Sequence, residues 1–466
     1  MIIIMLLPSY VLANGYDAAL ESICKNIIEK EEAYAGGEWT AIGIARSEIG
    51  GSENYLRKYT ESAAGYIAEK NGVLHERKYT EYSRMILALT AAGEDASDFA
   101  GYDLIAPLSD FEKTSMQGIN GSIWALIALD SGGYEAAQRD KYADSILSRQ
   151  NDDGGWAFAE GDKSDADVTA MALVALSNYR ERAKAQIDKA LSYISGSQNE
   201  SGGFLSWGEE NSESSAQVII ALCTLGIPAS DDRFVKDGNS VLDNLMTYYD
   251  GESGFYHTHD DKSVNKIATE QALLALAAYK RFSEGKSGIY DMKGFSDTDE
   301  SPSAEKIKYL SEKGIISGKS RFRFAPGDSM TRAEFACIAV RALGLALSDK
   351  KYFSDVSDGD WYYKYIAAAY ENDIVSGVSE SEFNPNGTVN YEEAAAMVSR
   401  AAKVCGKYKE YERPYGFLTA SEWARKSLAF CYENKIMNEL VPDFREAISR
   451  ESVADMIYNL MIEENK

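Results

Sequence analysis

The residues of this chain that could do chemistry fall into two groups. The first is acidic and lies in three polar segments. One holds Glu160, Asp162, Asp165 and Asp167; a second Trp207, Glu209, Glu210 and Glu213; a third His257, His259, Asp260 and Asp261. Gathered in one concavity, such carboxylates and imidazoles would make a candidate site. Asp165 and Asp167 have a plainer reading too, since carboxylates at a helix start cap free N–H groups and meet the positive end of its dipole. His257 and His259, two apart, could hold a metal with Asp260 or Asp261. With 3 His in the chain, surface histidines are the simpler reading, and no metal or other cofactor is assigned. No Ser-His-Asp or Cys-His spacing suggests a nucleophile, and no glycine loop after a strand suggests a phosphate site. The second group is Thr331-Arg332-Ala333-Glu334, echoed by Ile448-Ser449-Arg450-Glu451. Thr331 can cap a helix and Glu334 can close the capping box. Arg332 or Arg450 at such a start could fork onto a carboxylate, helped by backbone N–H groups. Asn390-Tyr391-Glu392-Glu393 puts Tyr391 at the Arg position.

Two tandem arrays must position these groups. From residue 30 to 282 a Gly-containing turn, often with an aromatic, precedes an Ala- and Leu-rich helix. The turns begin near Gly36, Asn71, Gly118, Gly154, Gly202 and Gly251. The helices are apolar almost all round; Ala170 to Ala175 has no polar face, so it must be buried on two sides. Each follows a more amphipathic segment, such as Tyr142–Gln150, Ala185–Ser197 or Val241–Tyr249. An inner ring of buried helices wrapped by an outer half-exposed ring satisfies both patterns. The three polar segments then meet at one mouth.

Gln150-Asn151-Asp152-Asp153-Gly154-Gly155-Trp156 and Gln198-Asn199-Glu200-Ser201-Gly202-Gly203-Phe204 resemble the repeat of terpene cyclases and protein prenyltransferases. The resemblance covers about residues 17–290 and implies an (α/α)6 toroid. It speaks for fold more than for activity. Asp165-Ala166-Asp167-Val168-Thr169-Ala170 is similar to the DxDDTA motif of class II terpene cyclases, in which the middle Asp protonates an alkene. Asp167 falls on that acid, but Val168 stands where the last Asp would be. Zinc-dependent prenyl transfer would need a converging Asp, Cys and His, and Cys223 reads as core.

A second repeat begins after a polar stretch at 286–294. Phe295-Ser296-Asp297 recurs as Phe353-Ser354-Asp355 and, degenerately, as Phe417-Leu418-Thr419. Helices over Ala304–Lys313, Trp361–Asn372 and Trp423–Asn434 follow, then turns such as Gly314-Ile315-Ile316-Ser317-Gly318, then Phe-x-Pro at Phe324 and Phe383. The ordered set resembles three S-layer-homology repeats. The resemblance implies a three-repeat helical prism that binds an anionic secondary cell-wall polysaccharide. It points to Arg332, Arg450, Asp297, Asp355, Trp361 and Trp423 as contacts.

Hydrophobic content of 45% and charged content of 26% suit a soluble globular protein. A net charge of −25 leaves no electrostatic footprint for nucleic acid or anionic lipid. The 5 Cys are scattered without a CxxC pair, which argues against a disulfide scaffold or zinc cluster. Tyr55, Tyr59, Tyr66, Tyr79 and Tyr82 could stack on sugars or simply pack. The apolar Ile2–Leu7 before Val11-Leu12-Ala13 resembles a signal peptide, too short for a membrane span. The expected layout is all-α: signal peptide 1–13, toroid 14–285, linker 286–294, and repeats over 291–351, 352–411 and 412–466. The location is extracellular, at the cell wall or S-layer. Capture or display of an unknown toroid ligand is the leading function. A surface enzyme, a polysaccharide lyase or degenerate cyclase using the mouth carboxylates, is the alternative, and a layer spacer is a third.

Overall fold

A computed structural model describes residues 8–295, 297–298, 301–409, 419–438 and 443–462. The chain forms two compact units, one reaching Lys293 and the other starting at Gly294. Ile2 to Leu7 of the expected signal peptide, and Phe417-Leu418 of the third repeat, lie outside the described residues.

In the first unit the sequence alternates half-exposed and buried helices. They are α1 (Pro8–Lys30), α2 (Glu38–Ser47), α3 (Ser52–Glu69), α4 (Thr80–Ala91), α5 (Phe111–Ser115), α6 (Ile119–Ser131), α7 (Arg139–Leu147), α8 (Ala166–Leu176), α9 (Arg180–Ser197), α10 (Ser212–Leu225), α11 (Val241–Met246) and α12 (Lys266–Ser283). The even-numbered helices each pack on the next, and α12 packs on α2, so the inner ring closes. The odd-numbered ones wrap it: α1 lies on α12, α3 on α2, α5 and α7 on α6, α9 on α8 and α11 on α10. Closure needs a small residue. A Cβ on Gly43 of α2 would stand 2.5 Å from the Leu273 side chain of α12, so any larger residue would force that side chain to move. Leu273 is thereby fully buried, worth about 2 kcal/mol.

The repeated turn is held by its own polar groups. The Gln150 amide donates to Gly154 O and Gln186 O, both at 2.8 Å, and Gln198 does the same to Gly202 O and Phe234 O. Gly154 and Gly202 have φ of 92° and 84°, and a Cβ there would strike a backbone oxygen at 2.7 and 2.6 Å. Trp156, fully buried, donates from Nε1 to Ile146 O and ties the turn to the outer helix before it. These motif residues therefore build the fold.

Among the described residues of this unit the named strands form two hairpins, β1 (Leu205–Ser206) with β2 (Glu209–Glu210), and β3 (Val235–Lys236) with β4 (Asn239–Ser240). The first turns through Trp207 and Gly208, both at positive φ (54° and 89°), the backbone of a tight hairpin turn.

The stretch 286–294 departs from its reading as a linker. Ile289, Tyr290 and Met292 are buried. Arg46 donates to Ser287 Oγ and Gly288 O, Arg281 Nε to Ser287 O, and Met292 N to Ser131 O. The toroid thus runs to Lys293. This segment packs among the C-terminal ends of the inner helices, opposite the mouth. Its polar composition disguised three core side chains and the acceptors that two buried arginines require.

The second unit holds α13 (Ala304–Glu312), α14 (Arg332–Ala342), α15 (Tyr363–Glu371), α16 (Tyr391–Val404), α17 (Arg425–Glu433) and α18 (Arg450–Met461). The second helix of each repeat packs on the first helix of the next: α14 on α15, α16 on α17, and α18 back on α13. The strand-like residues before α14, α16 and α18 pair in a cycle, Thr331 with Thr388, Asn390 with Ala447, and Ser329 with Ser449. Three repeats thus close on themselves around a shared apolar core containing Phe335, Val398 and Ile457. Each first helix ends on a residue with left-handed φ, Gly314 (68°), Asp373 (57°) or Lys435 (53°). Trp361 and Trp423 stand just before α15 and α17 instead of opening them.

Candidate functional site

The N-terminal ends of the six inner helices form the toroid mouth. Asp165 is the N-cap of α8, and its Oδ1 accepts from Asp167 N and Val168 N at 2.9 and 3.3 Å. Its Oδ2 accepts from Ser206 Oγ at 2.8 Å, which ties α8 to the β1–β2 hairpin. Asp167, in the first turn of α8, lies where α8 meets α10. Its Oδ1 is buried with no hydrogen-bond partner. Burial, and then the neighbouring Asp165 charge, push its pKa up to about 7 against the opposing pull of the Ser214 and Ser206 hydroxyls. Glu213, in the first turn of α10, adds to this repulsion, and both its oxygens lie 2.9 Å from His257 Nδ1. The fold therefore brings Asp165, Asp167, Glu213 and His257 into one cluster.

Two other expected members stand apart. His259 stacks on Tyr248 with ring centroids 4.0 Å apart and contacts Thr247 Oγ1, away from the partner of His257. Among the described residues no group of three His, Cys, Asp or Glu is placed to hold a metal. Trp207 is 91% exposed at the hairpin tip, on the rim. Glu210 is spent on structure: burial pushes its pKa up, but hydrogen bonds from Asn244, Ser201 and Asn199 outweigh this and hold it low.

The sequence missed the other half of the mouth. There the starts of α2, α4, α6 and the turn before α8 enclose a cavity of about 610 Å³, lined by Trp39, Arg84, Asn120, Trp124, Arg149 and Phe158 among others. Trp39 and Trp124 face each other with centroids 4.8 Å apart. Trp124 also meets the buried Tyr290 of the 287–293 segment edge-on at 6.0 Å. A large aromatic at the start of an Ala- and Leu-rich inner helix was the available signal.

In the second unit the motif residues are stitched into the fold. Arg332 is 6% exposed; its Nε donates to Phe383 O and its Nη2 to Ser376 O, both in the next repeat, and its guanidinium covers the Phe383 ring at 4.8 Å. Its Nη1 lies 3.6 Å from Glu393. Arg450, 2% exposed, repeats this on repeat one, with Phe324 O, Ser317 O and Glu334 Oε1 as acceptors. Asp297 and Asp355, expected to touch polymer, each spend both oxygens on backbone N–H groups of the Phe-x-Pro turn. The partners are Phe324 and Ala325, and Phe383 and Asn384, at 2.7–2.8 Å. These carboxylates stabilise Ala325 and Asn384 at positive φ of 59° and 58°. Of the expected contacts, Trp361 and Trp423 remain free, 60% and 58% exposed.

Residues 103–263 match the prenyltransferase alpha-alpha toroid domain, and residues 294–336 and 352–395 each match the S-layer homology domain. An endoglucanase of Bacillus sp. (strain KSM-635) is 43% identical over 137 residues, 29% of this chain and 14% of that protein. The surface-layer 125 kDa protein of Lysinibacillus sphaericus is 33% identical over 133 residues, 28% of this chain and 11% of that protein. The chain thus spans only about a seventh or less of the length of these two relatives. Among solved structures, ent-copalyl diphosphate synthase from Streptomyces platensis matches with a TM-score of 0.40 and 18% identity, over 53% of this chain and 50% of that one.

Proposed function

We propose that this chain, which joins a prenyltransferase-type alpha-alpha toroid to S-layer homology repeats, grips an anionic secondary wall polymer with its second unit and binds a ligand in the toroid mouth. Its location is extracellular, at the cell wall. The observation that carries the wall contact is the pair Trp361 and Trp423, large apolar side chains in equivalent positions and more than half exposed. Indole rings left in water at matching places of a closed ring suit the faces of sugars. Arg332 and Arg450 hold the junctions between repeats in shape, and Nη1 of Arg332 is its one nitrogen not bonded to a carbonyl. Among the described residues no helix is long and apolar enough to cross a membrane. The full chain should sediment with purified sacculi and stay in solution after the secondary polymer is stripped. Equal sedimentation on stripped walls would remove the proposal.

Catalysis at the mouth is a second reading, favoured by one observation. Asp167 has a buried, unpartnered oxygen and a carboxyl that keeps its proton up to about pH 7. Such an acid can donate a proton. Val168 withholds the last carboxylate of the class II cyclase motif. In a screen of terpenoid and polyuronate substrates, any turnover found should vanish in Asp167→Asn; turnover that persists would exclude Asp167 as the proton donor.

A further inference from the structure

We infer that the mouth cavity between Trp39, Trp124 and Arg149 binds an acidic oligosaccharide, one carboxylated pyranose of which sits inside. This deepens, and rests on, the reading of the toroid as a ligand-binding head. Three features of the cavity specify three features of the ligand.

The first is the cation. Arg84 is neutralised by Glu38 at 3.1 Å and Glu81 at 2.5 Å. Arg149 is half-buried and forms no ion pair with any described residue. Glu160 lines the same cavity without pairing with Arg149, which leaves this guanidinium open to one anionic group from outside. The second is the acceptor. Asn120 Oδ1 is buried without a hydrogen-bond partner. An orphan acceptor costs about 1–3 kcal/mol, relieved only by a donor. A diphosphate ester of a hydrocarbon brings no donor, whereas a sugar brings several hydroxyls. The third is the aromatic pair. Trp39 and Trp124 offer apolar surface beside these polar groups, which suits a ring with a CH face and a polar edge. The volume of about 610 Å³ lies within the range of about 300–1,000 Å³ usual for small-ligand sites.

The rim adds length. Every exposed large apolar residue described in the toroid lies at the mouth end, and each of the six turns supplies one or two, among them Tyr34, Val73, Met116, Phe158, Trp207 and Ile267. Phe158 and Met116 border the cavity itself. Platforms on every side of a pocket suit a chain of sugar rings that extends beyond it.

The test uses the full chain, with tryptophan fluorescence and calorimetry. Tetragalacturonate should bind, and the same tetramer with its carboxyls reduced to alcohols should bind at least about tenfold more weakly. Arg149→Gln should erase that difference, and Trp39→Ala should weaken both ligands by about tenfold or more, with unchanged circular dichroism. A tetrasaccharide released from purified wall separates a self-derived ligand from a foreign uronate. Equal affinity for the reduced tetramer, binding of geranylgeranyl diphosphate in place of the sugars, or no binding of either acidic tetrasaccharide up to about 10 mM would overturn the inference. Sedimentation of the same variants with sacculi keeps the two readings apart. Wall binding without sugar binding sinks only the pocket, and sugar binding without wall binding sinks only the anchor.

Discussion

Both units are rings of helical repeats, yet they dispose of their polar groups in opposite ways. In the S-layer homology unit Arg332, Arg450, Asp297 and Asp355 all bond to backbone of the fold, the two arginines across to another repeat and the two aspartates to the Phe-x-Pro turn of their own, which fixes Phe383, Phe324 and the turns beside them. In the toroid mouth Asn120 Oδ1 and Asp167 Oδ1 are buried without partners, and Arg149 forms no ion pair with any described residue. A charged residue in a recognisable motif is therefore a weaker pointer to a ligand than a polar atom whose bonding is incomplete. The first kind of residue is already paid for by the fold, and the second awaits something else.

The comparison breaks first at Arg450. Replacing it by Ala leaves Glu334 without that partner and the Phe324 and Ser317 carbonyls unbonded. Denaturant unfolding of the second unit should show a loss of about 3–5 kcal/mol. Arg450→Lys should recover little, since an ammonium cannot span the same fork. A loss under about 1 kcal/mol would mean that the stitch is ornamental. Next, Gly202→Ala should destabilise the toroid by about 2–4 kcal/mol, because φ is 84° and the new Cβ meets Ser240 O. A thermal melt that resolves the toroid transition checks this.

Asp167 sharpens the contrast through pH. Its folded pKa, about 7, lies above the ordinary carboxylate value, so the folded state holds a proton that the unfolded chain has released. The stability tied to it is therefore full below about pH 4 and is lost as pH rises towards 7. Asp165 and Glu213 face Asp167 in the same cluster, and His257 lies against Glu213. Asp167→Asn should match the parent near pH 4 and exceed it by roughly 1–3 kcal/mol at pH 8. A gap that does not widen with pH would show that Asp167 is ionised in the fold.

The helical plan was legible from sequence because it is periodic and local. Apolar stretches such as Ala170–Ala175 can only be inner helices, and Gly154-Gly155-Trp156 can only be a turn when Gln150 and Trp156 are both consumed by it. The capping box at Thr331 was equally local, and the structure adds a second at Asn390. The acidic half of the mouth was legible in part: Asp165, Asp167, Glu213 and His257 do meet, while His259 turns to Tyr248. The Trp39–Trp124 cavity was hidden because its walls come from four repeats and exist only once the ring closes. The packing of the 287–293 segment was hidden for the same reason, since Ile289 and Tyr290 look like loop residues until Arg46 and Trp124 are beside them.

Wall attachment through free aromatics, with the arginines as internal stitches, is tested most directly by the full chain carrying Trp361→Ala and Trp423→Ala. Both side chains are solvent-exposed, so unfolding should stay within about 0.5 kcal/mol of the parent. The account predicts that this variant remains in the supernatant when mixed with purified sacculi. Sedimentation equal to the parent's would contradict it.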